Sequence, residues 1–217
     1  MRRLAHLHHR THMSTEPIWH VQLAIAAVIF LQLVLDSKLS FGPKYLLAGI
    51  EVALLVTLMI VAQTAASVIL RRTVAILLTA MISLANIVSL GLAVATLFGD
   101  THLANGHDLL VSAISIYLTN IIIFGLWYWE LDFRSRGLPK DFLFAQMNAP
   151  EHAGLHNSGW RPTFFDYLYL SITNATAFSP TDTMPLTHRA KLLMAVQSLV
   201  SLAVIVLVTA RAVGVIG

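Results

Sequence analysis

Five apolar stretches, each long enough to hold about twenty apolar residues in one helix, constrain this chain more than any other feature. A helix of that length crosses the roughly 30 Å hydrocarbon core of a bilayer. Inside lipid every backbone polar group must be satisfied internally, which leaves helices as the natural form for such runs. The runs extend from Pro17 to Leu35, Lys44 to Leu70, Thr73 to Phe98, Asp108 to Trp129 and Arg189 to Ile216. Only 12% of the residues are charged, against roughly 25% in a soluble domain. An all-α integral membrane protein follows, and 217 residues leave no room for a sizeable soluble domain. No small-residue cleavage site follows the first run, so it reads as a retained membrane helix rather than a signal peptide. With no cysteine, disulfides, thiolate metal sites and thiol nucleophiles are excluded.

A sixth apolar segment, Phe164 to Thr176, is too short to span. A polar, helix-breaking stretch follows it, and then the last long run. Non-helical backbone at membrane depth is tolerated only where protein buries it or a wet cavity meets it. The expected architecture is therefore about five transmembrane helices plus one re-entrant helix and loop between the last two. Four regions result: a basic His-rich tail (1–16), a four-helix membrane region (17–133), a polar surface linker (134–162) and the re-entrant segment with the final helix (163–217). Thr173, Asn174, Thr176, Ser179, Thr181 and Asp182 crowd oxygen ligands into the loop, with Ala177 and Phe178 among them. Hard cations prefer oxygen. Gln197, Ser198 and Ser201 recur at helical spacing on the last run and are pore-lining candidates. Hydrogen bonding to a neighbouring helix is the alternative for all three. Asp182 has an alternative as well, capping the approach to the last helix.

The order of span, linker, short helix, polar loop and span resembles a pore-loop cation channel subunit. Residues Asp166-Tyr-Leu-Tyr-Leu-Ser-Ile-Thr173 resemble the pore helix of the two-helix potassium channel family. Asp182-Thr-Met-Pro-Leu-Thr187 is similar to the stretch after that family's filter, and Ala210-Arg-Ala-Val-Gly214 to the inner-helix end of many bacterial members. The resemblance covers the last quarter to third of the chain. It implies a homotetramer in a bacterial-type plasma (inner) membrane, a monovalent cation as the permeant species, and a ring of Asp182 carboxylates at the loop. The family's filter is Thr-Val-Gly-Tyr-Gly, whereas this chain has Thr176-Ala-Phe-Ser-Pro-Thr181. Both glycines are absent, and Pro180 cannot copy a left-handed glycine. The filter is thus non-standard. A non-conducting scaffold or accessory subunit on the same fold is the rival reading.

Glu51 lies inside the second run, where an acid is costly and points to function. Snorkelling to the interface and pairing with Lys44 are its structural alternatives. With the broken helix, Glu51 also motivates a third reading, a small-solute transporter. Asn86 and Asn120 are expected to bond across helices, and Trp127-Tyr-Trp129 to form an aromatic belt at the head groups. His6, His8, His9 and His12 fall in the basic tail, and no metal site is assigned to them. No histidine pair suits a haem, and no catalytic or nucleotide motif occurs. The expectation is no enzyme, no cofactor and no nucleic-acid partner, with the lipid bilayer as the surroundings.

Charge sets an orientation. Lys and Arg flank the runs so as to place the N-terminus in the cytoplasm. Five spans then put the re-entrant loop on the cytoplasmic side, whereas the potassium channel family inserts its loop from outside. The two expectations conflict.

Overall fold

The computed structural model describes residues 19–35, 44–63, 68–98, 106–133, 141–148, 160–176 and 183–216. Among them are six α-helices and one two-stranded sheet. The helices are α1 (Trp19–Val34), α2 (Lys44–Gln63), α3 (Val68–Phe98), α4 (Gly106–Phe133), α5 (Phe164–Ala175) and α6 (His188–Ile216). Strands β1 (Phe142–Phe144) and β2 (Thr183–Pro185) pair antiparallel, with Leu143 opposite Met184. Three helices, within α3, α4 and α6, are long and apolar enough to cross a membrane. This is the build of a membrane protein.

Helix α4 is the hub. Of its apolar span, 61% is buried against the rest of the protein, compared with 28% for that of α6. It contributes to each of three buried clusters. Ile123 and Leu126 meet Val21, Ile25, Val28 and Ile29 of α1, Leu58 of α2 and Val74, Leu78 and Ile82 of α3. Leu109, Ala113 and Ile116 meet Leu90 and Ala93 of α3 and Val204 and Leu207 of α6. Phe124 and Tyr128 meet Tyr167 and Leu170 of α5, Phe142 and Phe144 of β1, and Ala190 and Met194 of α6.

Two local expectations change. Arg72 lies inside α3, not in a loop between the second and third runs. A long arginine stem can lie along a helix while its head reaches a polar partner. Here the Arg72 guanidinium meets the Glu130 carboxylate at 2.5 Å. The stretch read as a surface linker also contains buried structure. Phe142 is fully buried and Phe144 nearly so, in edge-on ring contacts with Tyr128, Tyr167 and Trp160.

These contacts define one end of the bundle. The Arg72–Glu130 pair joins the start of α3 to the end of α4. Val21 of α1, Ala75 and Ile76 of α3, and Trp127 and Trp129 of α4 line a common crevice there. The sheet and the starts of α5 and α6 close the same end, here called the sheet end.

Candidate functional site

Helix α5 is short because its apolar pattern is short, and its start is fixed by its own residues. The Asp166 carboxylate reaches back to accept the Thr163 backbone N–H at 2.7 Å and the Thr163 hydroxyl at 2.8 Å. This is a capping-box contact, and an acid in the first turn also suits the helix dipole. Twelve residues make about 18 Å of helix, well short of the hydrocarbon core.

The helix descends from the sheet end into the bundle. Near its start, the Tyr167 hydroxyl donates to Asp132 at the end of α4. The next residue, Leu168, passes Gly125 so closely that a Cβ on the glycine would stand 3.2 Å from the Leu168 Cα. Next, the Ser171 hydroxyl donates to the Ile121 carbonyl at 2.6 Å. Finally, Asn174 Nδ2 lies 3.0 Å from the Met194 carbonyl and 2.8 Å from Gln197 Oε1. Gln197 is nine residues into α6, about 14 Å along its axis. Strand β2 then returns the chain to the sheet end before α6 begins.

A hydrogen-bonded knot holds the deep end of α5. Gln197 Nε2 donates to the Ser171 carbonyl at 2.9 Å and to the Ser171 hydroxyl oxygen at 2.7 Å. Gln197 Oε1 accepts from Asn174 and from the Tyr128 hydroxyl. Ser198 donates to Asn174 Oδ1 at 3.3 Å. Gln197 and Ser171 are fully buried, and Asn174 and Tyr128 are buried. Each polar group is matched, as low-dielectric surroundings demand. A few residues deeper, Asn120 donates to Ser201 at 3.0 Å.

A second knot fixes the sheet end. Asp132 accepts the Asp141 backbone N–H at 2.8 Å as well as the Tyr167 hydroxyl. Fully buried Asp141 accepts the Thr187 hydroxyl, with the Arg189 guanidinium 3.4 Å away. The Leu186 N–H donates to the Asp141 carbonyl at 2.9 Å. Both ends of the segment from Thr176 to Thr183 are therefore anchored to α4 and α6.

Among the candidate ion-pathway residues, Thr173, Asn174 and Thr176 are described. The hydroxyls of Thr173 and Thr176 donate to carbonyls of their own helix, and Asn174 belongs to the deep knot. Ala177, Phe178, Ser179, Thr181 and Asp182 lie outside the described residues. Of the pore-lining candidates, Gln197 and Ser201 are buried within the chain's own fold and Ser198 partly so. All three make the helix-to-helix bonds that were their alternative. Asn120 bonds as expected, and Asn86 is buried.

Tyr128 corrects the aromatic-belt reading. It points into the knot rather than toward head groups, because its hydroxyl finds a buried acceptor. Trp127 also turns inward, donating to Ser83 Oγ at 3.0 Å. Asp132, Asp141, Ser171 and Gly125 were not singled out from the sequence. The acids sit beside the polar linker, where sequence alone does not separate a buried carboxylate from a solvated one.

Glu51 is fully buried and does not snorkel. The Lys44 side chain is outside the described residues. Among the described residues no group of three or more His, Asp or Glu side chains is placed to hold a metal. No family model, no curated protein and no solved structure matches this chain.

Proposed function

We propose that the chain is the protomer of a pore-loop cation channel with a non-standard filter at Thr176 to Asp182. The observation that carries this reading is the seating of α5. A helix too short to cross a membrane is clamped between α4 and α6 at two depths, and the chain then returns to the end it left. Such an arrangement suits a loop held at membrane depth, where polar backbone has to face protein or water. With α1 and α2 counted as spans from their apolar runs, the protomer has five spans and one re-entrant segment.

Assembly follows from what α5 and α6 leave uncovered. Phe165, Tyr169 and Ile172 form an exposed stripe on α5, and Leu192, Leu199, Leu202 and Val206 are exposed on α6. Further copies covering these faces would make a homotetramer, surround the loop with protein and bring four Asp182 carboxylates together. A monovalent cation would then pass by the loop's oxygen ligands. Among the described residues the inward polar groups of α5 and α6 serve the protomer's own packing. Selection therefore falls to the loop itself.

The rival is a non-conducting scaffold that keeps the clamp and has lost the filter. Pro180 and the missing glycines favour it. Ion flux into proteoliposomes separates the two, measured for potassium, sodium and protons with Asp182→Asn alongside. A channel gives cation flux that the substitution lowers. Flux equal in both proteins removes Asp182 from the pathway, and no flux for any ion favours the scaffold.

A further inference from the structure

We infer that Glu51 and Gln32 form a proton-binding site between α1 and α2, remote from α5. Glu51 is fully buried, and neither carboxylate oxygen has a hydrogen-bond partner among the described residues. Gln32 Nε2, across the interface on α1, is also buried without a partner. Gln32 is near enough to act on the carboxylate, yet a formed hydrogen bond is not completed. Two orphaned polar groups are therefore buried between the two helices.

Hydrogen-bond capacity decides what this site holds. An ionised carboxylate offers about four acceptor positions, and one amide group cannot fill them. An unpaired charge at such a site is costly. A neutral carboxyl group fits the same partner completely. Its O–H donates to Gln32 Oε1 while Gln32 Nε2 donates to its carbonyl oxygen, giving two reciprocal bonds. The carboxylate takes this proton from hydronium in the surrounding water, so one O–H bond forms on Glu51 and one breaks in the donor, leaving a water molecule.

A metal ion suits the site poorly. Hard cations such as calcium take about six to eight oxygen ligands, while Glu51 and Gln32 together offer three. Among the described residues no charged side chain on the elements packed on α2 is bonded to Glu51. On α1 the titratable described residue is His20, at the opposite end of the helix. On α3, Arg72 is engaged by Glu130 at the sheet end. Glu51 lies in the half of α2 away from that end.

The site does not depend on the channel reading. Its test is infrared spectroscopy of the full chain in lipid nanodiscs over a pH series. Wild-type protein should show a protonated-carboxyl C=O band at neutral pH that is missing in Glu51→Gln and is lost on strong alkalinisation. Gln32→Leu should shift the band, because the amide partner is gone. Identical carboxyl spectra for wild type and Glu51→Gln at neutral pH overturn the proposal. Should Glu51→Gln not accumulate, wild-type protein with isotope-labelled glutamate carboxyls replaces it, and absence of a label-shifted protonated band is then the overturning result. Stability gives an independent readout. A proton held in the folded state and released on unfolding makes stability fall as pH rises above the ordinary carboxylate range, so wild type should lose thermal stability from mildly acidic pH upward and Glu51→Gln should lose less.

Discussion

Gln197 shows how one side chain can determine the placement of a whole segment. Its amide is used at both ends, accepting from Asn174 and Tyr128 and donating to Ser171. Gln197→Leu keeps the bulk and removes every one of these bonds. Each buried group left unpaired costs about 1–3 kcal/mol. The variant should therefore unfold several kcal/mol more easily in detergent titrations, while Thr209→Val, at an exposed position on the same helix, should stay close to wild type. Equal stability for the two variants would mean that the knot does not hold α5. Gly125 acts through absence instead. A Cβ there would press on Leu168 backbone at 3.2 Å, a contact that a flexible side chain cannot relieve. Gly125→Ala should lower the melting temperature and leave α4 intact as a helix, whereas an unchanged melting temperature would show that α5 can step aside. At this scale the sequence was only half legible. Asn174, Gln197, Ser198 and Ser201 stood out as polar residues in apolar runs. Which way they faced depended on tertiary partners that periodicity does not encode. Gly125 carried no signal, since a glycine in an apolar run looks the same whether or not a helix crosses it.

At the scale of elements, the two three-residue strands matter more than their length suggests. β1 brings Phe142 and Phe144 against Tyr128 and Tyr167, and its pairing with β2 fixes where the chain re-emerges before α6. Truncating a buried phenylalanine costs about 3–5 kcal/mol. Phe142→Ala should therefore destabilise the protein by that order and raise protease sensitivity around β2. Loss of stability without any change near β2 would show that the strand pair is passive. The long helices were readable because about twenty apolar residues leave one economical structure in a bilayer. The strands were not, because Phe142-Leu-Phe144 is too short for alternation to register and lies between prolines in a polar stretch. The α2–α3 boundary was placed late for a related reason. Arg71 and Arg72 looked like loop residues, yet Arg72 sits in α3 with its charge carried to Glu130.

On the scale of the whole molecule, the fold sharpens the conflict over orientation. The starts of α1, α3, α5 and α6 and the ends of α2 and α4 gather at the sheet end. All but Lys38, Lys44 and Arg211 of the 14 Lys and Arg residues fall in the segments that flank or begin the helices there. Acidic residues at this end do not cancel that bias, because orientation follows Lys and Arg rather than net charge. The sheet end should therefore face the cytoplasm, opposite to the insertion that the proposed likeness of the last quarter to third of the chain to the potassium channel family would imply. The chain has no cysteine, so a single introduced one is a unique label. Met184 is exposed on β2 at the sheet end, and His107 is exposed at the opposite end. In intact cells, Met184→Cys should resist a membrane-impermeant maleimide until the membrane is opened, while His107→Cys should react at once. The reverse pattern would put the α5 loop outside and show that the clamp, rather than the flanking charge, sets how this protein inserts.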